Sequence, residues 1–297
     1  MVRVRQSDLA SYARCAQQKK LIDLSKTGAI ARAPQLSMTA YGSVMHNAIF
    51  VMEKLHSQGR ADALVKAHTA FDYYWEPENI HQICEPVDIW AARQTWAGLK
   101  RKAHGIIDLY WEYLQKDTGR LLALEVEFNL PFTLPDGSTH TLHGTADRLC
   151  LRKTGSSTYV NIEDFKTGKD PEKLRWNAQF SLYCWATCQR AFWTDAWGET
   201  EGGELFTRFG QLARRGTWIS LRKGVDKLDA GWRGPADYSR MWVAIAQYIR
   251  AVEADIYPLS LKGDVCEWCK FGQPNAEGLV LCGGVALPDK DHGAPWE

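Results

Sequence analysis

The chain has 297 residues, 45% hydrophobic and 24% charged, with a formal net charge of +1. That is enough for a sizeable buried core, and it excludes a global basic field that would announce nucleic acid, so any DNA site must be a local patch. No apolar run reaches the roughly 18 residues that suggest a membrane span, and the N-terminal MVRVRQSDLASYARC has no apolar secretory core. A cytoplasmic setting is therefore expected, with the 8 Cys reduced or holding metal rather than forming disulfides. The 13 Trp belong mostly in the core, with some free to stack on bases.

In chain order, Ser7 and Asp8 are suited to cap a short helix running through Tyr12 to Cys15 and beyond. Residues 41–58 place Val44, Ile49, Met52 and Leu55 near one helical face, with Gly42 near the start; residues 91–117 repeat the pattern through Trp96, Leu99, Ile106 and Leu114. The period then changes. LLALEVEFNLPFTL and STHTLHGTADRLCLRK read as two strands joined by a turn at Pro135–Gly137, and STYVNIEDFK as a third. Pro171 is expected to open a helix carrying Asn177–Arg190. GELFTRFG and GTWISLRK read as later strands, and Ala236–Glu253 as a final long helix. Grouped strands backed by helices predict a mixed α/β core with a helical N-terminal region. The expected division is 1–90 helical, 91–260 core and 261–297 a cysteine-bearing C-terminal segment.

Chemistry concentrates at two strand ends. Asp147 lies in HGTADRL, placed at the end of the second strand, and Asp164 and Lys166 lie in IEDFKTG at the end of the third. Residues two apart in a strand share a face, so Asp164 and Lys166 point together and Phe165 turns into the packing. If the strands are neighbours, Asp147 comes beside Asp164, and two adjacent carboxylates call for a cation; oxygen-rich donors suit Mg²⁺ or Mn²⁺. Gln179 and Tyr183 are four apart on the next helix, hence on one face. His46, on the helix after Gly42, offers a nitrogen to the same ion.

Taken in order, Gly42-X-X-X-His46, Gly144-Thr-Ala-Asp147-Arg148, Glu163-Asp164-Phe165-Lys166-Thr167-Gly168 and Gln179-X-X-X-Tyr183 resemble the RecB-type PD-(D/E)XK nucleases, a pattern shared with Cas4-like proteins, the AddB nuclease domain and many phage exonucleases. The resemblance covers roughly residues 7–282. It implies a restriction-endonuclease-like core, a central sheet flanked by helices. It implies that His46, Asp147, Asp164 and the main-chain carbonyl of Phe165 bind the ion, that Lys166 is the catalytic lysine, and that Gln179 and Tyr183 stabilise the site or grip DNA. By alternation Glu163 faces away and is structural. Glu125 and Glu127 lie on the first strand, from which one could reach the site as a supporting acid.

Cys266-Glu-Trp-Cys269, Cys282 and the distant Cys15 are a further set. In the Cas4-like and AddB-like proteins one early and three late cysteines hold a [4Fe–4S] cluster, and the resemblance implies that Cys15, Cys266, Cys269 and Cys282 do so here. Thiolates at this spacing suit Zn²⁺ as well, and the gap from Cys269 to Cys282 is longer than the usual Cas4-like one. Closing so long a loop would stabilise the fold by about 5 kcal/mol on the disulfide formula. Cys84, Cys150, Cys184 and Cys188 read as small buried hydrophobes.

Basic residues cluster at Arg14 with Lys19–Lys20, at Lys100–Lys102, at Arg214–Arg215 and at Arg222–Lys223. Any that border the acidic site would hold phosphates. No base-reading motif stands out, so single-stranded DNA or DNA ends with little sequence preference are the expected partners. The reading is a metal-dependent DNA exonuclease of recombination, repair or CRISPR-type adaptation. The alternatives are a catalytically silent DNA-binding scaffold and an RNA-processing enzyme. No helicase motif is present, so a helicase, recombinase or Cas1-type partner fits, as does an oligomer.

Overall fold

The computed structural model describes residues 1–31, 35–88, 90, 94–168 and 177–258. A short strand β1 (Arg3–Arg5) runs into α1 (Gln6–Arg14) and α2 (Ala16–Lys26). Asp8 does cap α1, but from inside its first turn: its carboxylate accepts the Arg5 backbone N–H at 3.0 Å. Helices α3 (Ser37–Ser57), α4 (Ala63–Tyr74) and α5 (Trp96–Lys116) follow. Helix α3 starts four residues before the expected 41, and α5 five residues after the expected 91.

The sheet is built mainly from β2 (Arg120–Thr133), β3 (Thr139–Thr154) and β4 (Ser157–Lys166). The β2–β3 turn forms where Pro135–Gly137 predicts it: Gly137 has a φ of 84°, and Asp136 accepts the Ser138 N–H at 2.9 Å. Helices α6 (Ala178–Thr187), α7 (Arg190–Trp197) and α8 (Glu199–Phe209) lead to β5 (Ala213–Ser220), β6 (Asp226–Arg233) and α9 (Pro235–Glu253). One edge of β3 pairs antiparallel with β2; the other is shared by β1, parallel at Thr141–His143, and β4, antiparallel from Arg148 to Thr154. Strand β5 is parallel to β4, and β6 antiparallel to β5. A parallel neighbour needs a long crossover, which α6 to α8 supply. The result is the expected mixed α/β architecture, a sheet with helices on both faces.

Two apolar clusters seal those faces. Phe128, Leu142 and Ile162 pack with Leu182, Phe192 and Ile245 from α6, α7 and α9. Val44, Phe71 and Ile107 from α3, α4 and α5 pack on Phe165 and Ile219. Fully burying each such side chain stabilises by about 1.5–3 kcal/mol. The second cluster joins residues on both sides of position 90.

Two sequence expectations are corrected. GELFTRFG is the end of helix α8, not a strand: Leu205, Phe206 and Phe209 fall on one helical face against the first cluster. The helix through Asn177–Arg190 is broken at Cys188–Gln189; Asn177 caps α6 by accepting the Gln179 N–H at 2.8 Å. Pro171 lies outside the described residues.

Candidate active site

Strands β3 and β4 stay in register up to Arg148 and Glu163. Just past that pair, the Phe165 N–H donates to a carboxylate oxygen of Asp147 at 2.8 Å instead of a β3 carbonyl. Asp147 therefore lies inside β3, not at its end as expected, at the point where the two strands stop pairing. Strand β4 continues along β5 to Lys166, opposite Ser220, and carries Asp164 and Lys166 beyond β3. The Lys166 Nζ lies 2.6 Å from Asp164 Oδ2, and Asp164 is 1% exposed. Phe165 packs between α3 and α5, as alternation requires.

The flanking helices close the site. From α6, Gln179 Nε2 donates to Asp164 Oδ1 at 2.5 Å and lies 3.2 Å from the Tyr183 hydroxyl. From α3, His46 Nε2 bonds the Phe165 carbonyl at 2.8 Å, and its Nδ1 is 3.7 Å from Asp147 Oδ2. The structure thus gathers His46, Asp147, Asp164, Phe165, Lys166, Gln179 and Tyr183 at one place.

Glu125 joins them, whereas Glu127 is exposed and faces His143 at 3.5 Å. The β2–β3 register sets Leu124 against Arg148 and Val126 against Ala146, which leaves Glu125 opposite Asp147. Its φ of 48° is left-handed, a conformation that costs a non-glycine residue on the order of 1–3 kcal/mol and collects at functional sites. Ligand atoms of His46, Glu125 and Asp147 lie within 4.8 Å of one another. Asp164 stands beside this trio, its oxygens turned to Gln179 and Lys166.

Burial, then the neighbouring Asp147 and Asp164, push the Glu125 carboxyl up to about 8. Burial pushes Asp164 up to about 7 against the pull of Lys166, with Asp147 adding to the rise. Burial lowers His46, which favours a neutral imidazole with a lone pair to offer, although Asp147 opposes the shift. Burial disfavours the Lys166 ammonium, but Asp164 and then Asp147 more than offset this and raise its pKa.

Glycine supplies clearance in two places. A Cβ on Gly144 would stand 2.6 Å from the Phe128 ring and 3.1 Å from the Tyr183 ring; one on Gly42 would stand 3.0 Å from Thr167 Oγ1. Beside the acidic group a cavity of about 380 Å³ opens between the first turns of α3 (Met38, Thr39, Gly42) and the end of β4 (Lys166, Thr167, Gly168).

Behind the site, on the α3–α5 side of the sheet, lies an ionic network that sequence reasoning did not resolve. Buried Arg148 contacts Glu163, lies 2.8 Å from Glu53 of α3 and 2.9 Å from Asp117 at the end of α5. Arg152 meets Glu163 at 2.6 Å and Asp117 at 2.7 Å, and Tyr110 donates to Glu53. Glu163 is thus held by two arginines, facing away from Asp164. The signal available was Arg148 in the GTADR run, an arginine in a stretch that reads as buried strand.

Most of the basic clusters are consumed internally. Lys19 is buried against Asp8 and Asp23, Lys20 pairs with Asp255, Lys100 with Asp72 and Glu76, and Arg215 with Asp229. Arg214 is buried and binds Thr187 and backbone carbonyls. Cys150 and Cys184 are buried and Cys84 and Cys188 half-buried, all free thiols. Cys266, Cys269 and Cys282 lie outside the described residues. Among the described residues no helix is long and apolar enough to cross a membrane.

No curated protein matches the chain. A family model described as the PD-(D/E)XK nuclease superfamily matches residues 3–273. That match spans the sheet, both helical layers and every residue gathered at the β4 end, and the chain belongs to the PD-(D/E)XK nuclease superfamily.

Proposed function

We propose that the chain is a Mg²⁺- or Mn²⁺-dependent deoxyribonuclease that acts on DNA ends or single strands, of the RecB and Cas4-like kind. The observation that carries the reading is the convergence of His46, Glu125 and Asp147 beside the Asp164–Lys166 pair. A divalent cation fits the donor chemistry. Two carboxylates face each other across adjacent strands, where like charges repel, and Asp164 is buried beside them with one cation, the Lys166 ammonium, at its Oδ2. One imidazole among several carboxylate oxygens suits Mg²⁺ or Mn²⁺. His46, Glu125, Asp147 and Asp164, with the Phe165 carbonyl, would hold it. A bound cation of this kind acidifies a water and polarises a phosphate oxygen.

The chain's own groups do the rest. Gln179 fixes Asp164 Oδ1 and so orients the carboxylate. Lys166, tethered to Asp164, is placed to orient the attacking water or to neutralise charge developing on a phosphate oxygen. Tyr183 holds Gln179 from the far side. Scattered exposed aromatics and the absence of a base-reading motif suit sequence-independent contact with the strand.

A four-cysteine centre, [4Fe–4S] or Zn²⁺, belongs to the same reading. Cys15 is a buried free thiol between α1 and α2. The segment leading to the late cysteines passes close by: the Gln17 N–H reaches the Pro258 carbonyl at 3.4 Å, and Tyr12 donates to the Ile256 carbonyl at 3.1 Å.

End-labelled single- and double-stranded oligonucleotides, with an RNA of the same sequence, test the activity. Cleavage of DNA with Mn²⁺ or Mg²⁺, lost with EDTA and reduced at least about a hundredfold in Asp164→Asn and Lys166→Ala, is expected. Undiminished cleavage by both variants would remove the assignment, and tight DNA binding without cleavage would favour a scaffold.

A further inference from the structure

The carboxyl ends of parallel strands are where open α/β sheets bind ligands, and at the β4–β5 end the acidic centre has cationic company. Lys102, on the second turn of α5, is partly buried; Arg222, just past β5, is exposed. Neither has an acidic partner among the described residues. This sets them apart from Lys19, Lys20, Lys100 and Arg215, each already neutralised by a carboxylate.

Short paths tie both cations to the cleft. The Lys102 Nζ stands 5.5 Å from the centroid of the Tyr41 ring, and Tyr41 directly precedes Gly42 on the cavity wall. The Tyr41 hydroxyl is itself buried without a hydrogen-bond partner. Arg222 follows Leu221, whose N–H donates to the Lys166 carbonyl at 2.7 Å. The two cations also feel each other: burial and then the charge of Arg222 disfavour the Lys102 ammonium. Like charges left near a cleft, with no counter-ion among the described residues, call for an anion from outside. The one anion that the acidic centre's substrate brings in series is the phosphodiester.

We propose that Lys102 and Arg222 form a subsite for a backbone phosphate of the bound DNA strand, adjacent to the phosphate presented to the acidic centre. The substrate class rests on the nuclease reading; the pairing of the cations does not. Such a subsite would register the strand, so that one phosphate at a time faces Lys166 without any base being read.

The test measures binding of a fluorescently labelled single-stranded DNA oligonucleotide, with Ca²⁺ in place of Mg²⁺, across a series of salt concentrations. The Lys102→Gln/Arg222→Gln double variant is expected to bind about tenfold more weakly. Its slope of log affinity against log salt should fall by about 0.7–1, the loss of one phosphate contact. Under cleavage conditions KM should rise more than kcat falls, and Lys102→Arg should restore most of the affinity. Lys116→Gln, exposed at the far end of α5, should leave affinity and slope as they are. Unchanged affinity and slope in the double variant overturn the proposal, as does weaker binding with an unaltered slope. A wild-type protein that cleaves nothing, yet binds DNA through these two cations, would remove the nuclease reading and leave the subsite standing.

Discussion

Glu125 and Asp164 are carboxyls that the folded protein prefers to keep protonated, held up to about 8 and about 7 by burial and by the neighbouring Asp147. The unfolded chain ionises both near pH 4. Between those limits the native state binds more protons than the unfolded state, so their contribution to stability falls as pH rises. The metal-free protein should therefore lose melting temperature from about pH 5 to about pH 8, as followed by calorimetry. Saturating Mn²⁺ should flatten the decline by favouring the ionised pair. Glu125→Gln should raise the melting temperature of the metal-free protein at pH 8 and weaken Mn²⁺ binding by about tenfold or more; a lower melting temperature with unaltered Mn²⁺ affinity would count against its place among the ligands. Most of the site's residues could be read from the chain because each sits in a short local pattern: a strand with two acids and a lysine, a helix pair four apart, a histidine one turn after a glycine. Glu125 was only half legible. Which of Glu125 and Glu127 reaches the centre is decided by the left-handed backbone at Glu125, which strict alternation along β2 does not foretell.

Among the elements, β3 has two duties, and neighbouring residues divide them. Asp147 serves the cleft, while Arg148 anchors α3 and α5 to the sheet through Glu53, Glu163 and Asp117. Because the network is buried, Arg148→Met should cost about 3–5 kcal/mol by stranding carboxylates rather than by losing one attraction. Adding Glu163→Gln should recover part of it in urea unfolding. Burial alone would raise the Glu163 carboxyl, but Arg148 and Arg152 bring it below its ordinary value, so its contribution is present above about pH 4 and lost as pH falls further. The clearance at Gly144 gives a second expectation: Gly144→Ala, which must displace Phe128 or Tyr183, should cost about 1–3 kcal/mol and lower cleavage while metal binding survives. Elements with strong periodicity were legible, hence β2, β3, β4, α3, α5 and α9. The strand expected at GELFTRFG failed because Leu205 and Phe209 suit both periods over so short a window, whereas Phe206 fits only the helical one, and Glu199 and Glu201 in the first turn favour α8. Strand β6 was missed although Leu228, Ala230 and Trp232 alternate in DKLDAGWR, because the run is short, opens on two charges and is interrupted by Gly231; it is held by pairing with β5.

For the molecule as a whole, the sheet is clamped between two helical layers, and the active-site candidates come from both: His46 from one layer, Gln179 and Tyr183 from the other, and the carboxylates from the strands between them. Helices α1 and α2, with Cys15 between them, meet residues 255–258, and the proposed four-cysteine centre starts from that contact. Protein purified without oxygen should contain about four iron atoms per chain and absorb in the visible. Cys15→Ala should lose that iron and melt at a lower temperature; a colourless protein with one zinc per chain would make the centre a zinc site instead. The pairing of distant elements was legible only through the ordered motif set, since a strand's sequence does not say which neighbour will lie beside it. The most direct measurement of the central claim is an anomalous-difference map from crystals soaked in Mn²⁺. A single strong peak bounded by His46, Glu125, Asp147 and Asp164, against the Phe165 carbonyl, is predicted. Empty density there at saturating Mn²⁺, or a peak elsewhere on the chain, would contradict it.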